Sequence, residues 1–121
     1  MSALTWVGIL VLGGAGAIVR FVIDTVIATR AGRDFPLGTL AVNLSGAGVL
    51  GFVTGLSVSG SALVLVGTAT VGSYTTFSTW MLETHRLRDD GQFARGLANV
   101  VISLLLGVAA VALGRAVGAG L

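Results

Sequence analysis

The stretch Gly67-Thr68-Ala69-Thr70-Val71-Gly72-Ser73-Tyr74-Thr75-Thr76-Phe77-Ser78-Thr79-Trp80 gathers glycine, hydroxyls and aromatic rings inside a largely apolar chain. Glycine and β-branched threonine are weak helix formers, so the cluster predicts an interrupted helix. The carbonyls freed by such a break commonly hold a cation. Phe77 and Trp80 are three residues apart and stand near one helical face. Their rings have positive edges that can face an anion, and Trp80 adds an indole N–H. Asn43 offers two N–H donors and one acceptor, and Asn99 and Ser103 lie one turn apart. Arg20 sits well inside an apolar run, where a central arginine costs about 2.5–3.5 kcal/mol. Asp24, one turn on, can pair with it. Such neutral donors beside an arginine-lined mouth suit passage of a small anion. Each also has a plainer use: hydroxyls bond back to their own helix, Asn43 ties two helices together, aromatics pack, and Arg20 snorkels.

The elements that must position these groups are membrane helices. The chain has 121 residues, 55% hydrophobic and 10% charged. Disordered chains are polar and charged, and soluble domains are about 25% charged. No cysteine is present, so disulfides and thiolate metal sites are excluded; one histidine, His85, argues against zinc chemistry and enzymatic catalysis. The net charge of +2 gives no basis for nucleic-acid binding. Four apolar stretches near the 20 residues needed to span a bilayer cover about 4–28, 37–58, 62–82 and 93–117. They predict a single four-helix transmembrane domain over 1–121. The first stretch is too long, and lacks the preceding positive charge, for a signal peptide. Pro36 suits the first turn of the second helix.

Thr39, Asn43, Ala47, Gly51 and Gly55 recur every four residues, a small-residue face that lets helices approach closely. Ser103 and Gly107 are expected to do the same in the fourth helix. Basic residues set membrane orientation. Arg30 and Arg33 lie between segments one and two, Arg86 and Arg88 between three and four with Arg95 close by, and Arg115 alone at the other side. This imbalance favours both termini outside.

Over essentially its full length the chain resembles the Fluc (CrcB) fluoride channels. The resemblance rests on Gly14-Ala15-Gly16-Ala17-Ile18-Val19-Arg20-Phe21, Pro36-Leu37-Gly38-Thr39-Leu40-Ala41-Val42-Asn43 and Gly72-Ser73-Tyr74-Thr75-Thr76-Phe77-Ser78-Thr79-Trp80, in that order. It implies an antiparallel, dual-topology dimer with two fluoride pores and a central structural sodium ion. By position it implies sodium on the carbonyls of Gly72 and Thr75. It further implies a pore lined by Asn43, Phe77, Ser78, Thr79 and Ser103, and a vestibule at Arg20 and Thr39. Two positions depart: Trp80 replaces a second pore phenylalanine, and Asn99 stands where a tyrosine is common. Such variants are similar to one member of paired, two-gene channels.

The expectation is therefore an all-α membrane protein of four transmembrane helices, the third broken near the midplane, in an antiparallel dimer. It would export fluoride passively across the bacterial plasma membrane and lower cytoplasmic fluoride, with Trp80 in the pore and no enzymatic activity. Its partners would be fluoride, lipid, and either a second copy or an oppositely oriented homologous subunit. A small proton-coupled multidrug exporter is the alternative, but it needs a membrane-embedded carboxylate, and segments two to four carry none at depth. A structural subunit without transport is a third reading.

Overall fold

A computed structural model describes residues 1–121, all helix and connecting turn. Helix α1 (Ala3–Ala31) begins where the Ser2 hydroxyl accepts the Thr5 N–H at 3.2 Å. It ends at Gly32, whose φ of +78° is a conformation glycine reaches without a Cβ penalty. Pro36 precedes α2 (Leu37–Gly55); its carbonyl accepts the Leu40 N–H at 3.1 Å. Then come α3 (Gly60–Leu63), a π-helical stretch (Val64–Val71), α4 (Gly72–Tyr74), α5 (Ser78–Asp89) and α6 (Phe93–Ala119).

Helices α1, α2 and α6 are each long and apolar enough to cross a membrane. The remaining segment, from Gly60 to Asp89, is bent, and no single helix in it reaches that length. Only 17 of 121 residues are buried, while apolar side chains such as Leu10, Ile18, Phe21, Leu105 and Leu113 cover the outside. A chain in water would hide those side chains; hydrocarbon accepts them.

Helices pack here through small residues. A Cβ on Gly51 of α2 would collide with the Val111 carbonyl of α6, and one on Gly114 of α6 with the Gly48 carbonyl of α2. Backbone cannot yield as a flexible side chain does, so overpacking such a contact costs roughly 1–3 kcal/mol. The expected face of α2 is thus divided. Gly51 and Gly55 pack on α6, whereas Asn43 and Ala47 line an open groove. Gly107 does not act as a packing residue: nothing lies within 4 Å of the Cβ it lacks, and with Ser103 it lines the same groove.

The break in the third segment falls within the expected run, at Thr75 and not at Gly72. Gly72 is helical, with φ −62° and ψ −37°, and the chain becomes extended at Thr75, with φ −78° and ψ 161°. The helix resumes at Ser78. The intrinsic weakness of Gly72 does not stop the helix, because its N–H still donates to the Gly67 carbonyl five residues back.

Near the start of α2 the Thr39 hydroxyl donates to the Glu83 carboxylate midway along α5, on the way to the Arg86 and Arg88 end. Both arginine-bearing loops therefore lie at one end of the bundle. Gly55 packs against the backbone of Arg115 and Ala119, so Arg115 marks the other end beside the Ser57 turn. With the basic side held in the cytoplasm, a C-terminal tag probed in intact cells should be accessible from outside. An equal split between inside and outside would overturn a fixed orientation.

Candidate functional site

The break is built by one side chain. Asn43 Nδ2 donates to the Thr76 carbonyl at 2.9 Å, and Asn43 Oδ1 accepts the Thr76 N–H at 2.8 Å. A side-chain amide has the donor and acceptor of a peptide group, so Asn43 pairs Thr76 as a neighbouring strand would. In a continuing helix that N–H would go to the Gly72 carbonyl. The Thr76 hydroxyl then accepts the Thr79 N–H at 3.2 Å and caps the start of α5. The N-terminal end of α5, with its partial positive charge, is thereby aimed at the break.

Two cavities meet at this wall. The first, about 320 Å³, is lined by Arg20, Phe21, Asp24, Thr39, Val42, Thr76, Ser78 and Thr79. The second is an open groove of about 1000 Å³, which includes Asn43, Thr75, Thr76, Phe77, Trp80 and Ser103. Thr76 borders both. Phe77 is 70% exposed in the groove and meets Trp80 edge to face, with ring centres 5.8 Å apart and planes at 84°. Asn43 carries two amide hydrogens, of which Thr76 takes one.

The expected site residues thus fall into two groups. Asn43, Phe77, Trp80 and Ser103 share the groove; Arg20, Thr39, Ser78 and Thr79 share the smaller cavity. Thr75 lines the groove, whereas Gly72 lines neither space and is exposed on the protomer surface. Arg20 and Asp24 do not form the expected ion pair; the pairs present are Arg88 and His85 with Asp89. Asp24 instead packs against Gly38, whose missing Cβ leaves room for the carboxylate. Two residues of the site escaped sequence reasoning. Thr76 is one hydroxyl among several until its backbone is seen paired to Asn43. Glu83 lies outside the apolar stretch, and only the fold brings it to Thr39.

No group of His, Cys, Asp or Glu is arranged to hold a metal ion. The oxygens a cation could use are backbone carbonyls at the end of α4, where the Thr76 N–H is diverted from Gly72. Oxygen-only donors suit a hard cation.

The profile described as "CrcB-like protein, Camphor Resistance (CrcB)" matches residues 7–115. The chain belongs to the CrcB family. Among CrcB relatives, it is 57% identical over 110 residues to "Fluoride-specific ion channel FluC 2" of Mycolicibacterium paratuberculosis, spanning 91% of this chain and 90% of the relative. It is 50% identical over 115 residues to the protein of the same name in Mycobacterium tuberculosis, with 95% and 91% covered. "Fluoride-specific ion channel FluC 1" of Symbiobacterium thermophilum is 41% identical over 123 residues, with 97% and 99% covered. These CrcB relatives are named as ion channels, not as enzymes. With its three long apolar helices the chain is a multi-pass protein of the bacterial plasma membrane.

Replacing Asn43 by leucine leaves both polar groups of Thr76 without partners, at about 1–3 kcal/mol for each buried group. Asn43→Leu should lower unfolding stability and speed hydrogen exchange at the Thr76 amide. Unchanged exchange there would show that Asn43 does not hold the break.

Proposed function

We propose that this protein is a fluoride-selective ion channel that exports fluoride passively and lowers cytoplasmic fluoride. The observation that carries the reading is the Asn43–Thr76 wall between an arginine-lined cavity and a ring-lined groove. Arg20 draws an anion into the smaller space by charge. There the ion meets the hydroxyls of Ser78 and Thr79, and past the wall the Ser103 hydroxyl, the remaining Asn43 N–H and the ring edges of Phe77 and Trp80. Fluoride sheds tightly held water on entry, so these donors must replace it. They must also act in series, since one strong site would hold the ion and stop conduction. Among the residues that line the groove the one cation is Arg115, at the end of the bundle beside Gly55, and Arg20 lines the smaller cavity. The names of the relatives point to the same ion.

The channel works as an antiparallel dimer, either with itself or with an oppositely oriented homologous subunit. The open groove supports this, because Phe77 and Ser103 line a wall with no facing wall in one protomer. A structural sodium ion sits at the break, bound by the carbonyls of Gly72 and Thr75. The diverted Thr76 N–H and the exposure of Gly72 support that assignment.

Liposomes holding the purified protein should release fluoride much faster than chloride, without proton coupling. Phe77→Ile, which removes a ring edge but keeps an apolar side chain, should cut fluoride flux strongly while the dimer stays assembled. Chloride flux equal to fluoride flux, or coupled export of an organic cation, would overturn the channel reading. Unchanged flux in Phe77→Ile would remove the ring-edge mechanism.

Sodium has its own measurement. A ligand that binds only the assembled state stabilises it by mass action. The thermal midpoint of the dimer should rise with sodium concentration, and Thr75→Ala should keep that rise because a carbonyl is the ligand. A midpoint indifferent to sodium against a bulky organic cation would remove the ion from the account.

A further inference from the structure

Trp80 and Asn99, the two departures from the family pattern, are bonded to each other. The Trp80 indole N–H donates to the Asn99 backbone carbonyl at 3.2 Å. Asn99 Nδ2 donates to the Thr84 hydroxyl at 2.8 Å and to the Trp80 carbonyl at 3.4 Å. The Thr84 hydroxyl in turn donates to the Trp80 carbonyl at 2.9 Å. Asn99 is only 1% exposed, so its amide depends on these partners. Two helices are cross-linked by both backbone and side chain around a single indole.

From this geometry we infer that Asn99 is a positioning residue for Trp80. It holds α6 against α5 so that the indole N–H stays on the Asn99 carbonyl and the ring alone faces the groove. The consequence follows from the chemistry of the two surfaces that tryptophan can show. A ring edge is a weak, diffuse donor, whereas a free indole N–H is a directed donor that chloride, which sheds its water at less cost than fluoride, can also use. Trp80 replaces a phenylalanine in the implied pore without adding an N–H to it, because the Asn99 carbonyl, held in place by the Asn99–Thr84 bond, occupies that N–H. The two substitutions thus act as one unit. This inference rests on the channel reading for its effect on selectivity, though not for the clamp itself.

The test uses full-length protein carrying Trp6→Phe, which leaves Trp80 as the only tryptophan. Asn99→Leu should shift Trp80 emission to the red and lower the fluoride-to-chloride permeability ratio by about tenfold, the size of a coupling between contacting residues. Thr84→Val, nearly isosteric, should move both readouts in the same direction, and it carries the test if Asn99→Leu fails to fold. In a Trp80→Phe background, Asn99→Leu should lower the ratio no further, since no N–H remains to be released. An unshifted Trp80 emission in both single variants would overturn the inference. So would a tenfold loss that persists in the Trp80→Phe background, which marks a merely structural asparagine. If the starting protein conducts no fluoride, either alone or together with an oppositely oriented homologous subunit, the channel reading falls, and Trp80 emission alone still decides whether the clamp exists.

Discussion

A backbone amide inside a bilayer has no water to turn to, and the Asn43–Thr76 pair answers that constraint. Where the third segment leaves its helix, Thr76 would otherwise expose an N–H and a carbonyl in the protein interior. Asn43 takes both. Because that bond is made, the chain can extend at Thr75, turn, and start α5 at Ser78. The two cavities, the cap on Thr79 and the aim of the α5 dipole all follow from that extension. Asn43 thus builds the wall with one amide hydrogen and its carbonyl, and it also lines the groove.

A related economy governs the remaining polar groups. Most are committed to a partner within the protomer. Ser45 shares a hydrogen bond of 2.8 Å with the Tyr74 hydroxyl, Thr54 and Thr70 donate to carbonyls of their own segments, and Thr39 is bound to Glu83. Every buried side-chain nitrogen and oxygen has a partner. The groups bordering the two spaces are mostly apolar or neutral, with Arg20, Asp24 and Arg115 as the charged ones.

The helical segments were legible because hydropathy over twenty residues is a local property of the chain. Three of the four stretches became single long helices with ends shifted by a few residues. The interruption of the third was legible too, from its glycine and threonine content, to within the run from Gly67 to Trp80. Local propensity could not say where in that run the helix stops, because the bond that stops it comes from Asn43, 33 residues away. The same limit explains Arg20 and Asp24: helical spacing brings them near, and Gly38 of another helix decides where the carboxylate packs. Gly107 was misread as a packing residue because composition cannot say which face of α6 meets α2. The grouping of Trp80 with Asn99 was visible only as two separate departures, since nothing in the sequence links positions 19 residues apart on different helices.

The π-helical stretch Val64–Val71 sets the phase of everything after it. Its hydrogen bonds reach five residues back, as in the Gly72 N–H to the Gly67 carbonyl. Deleting one residue there would return the segment towards ordinary α geometry, in which each residue turns about 100° and climbs about 1.5 Å. Thr76 would then present its peptide group away from the Asn43 amide. The turn around Ser57, by contrast, can gain or lose a residue without moving the break relative to α2, because the helices on either side can keep their packing. Length variation in this fold should therefore be tolerated at the turn and excluded from the eight residues that follow Leu63.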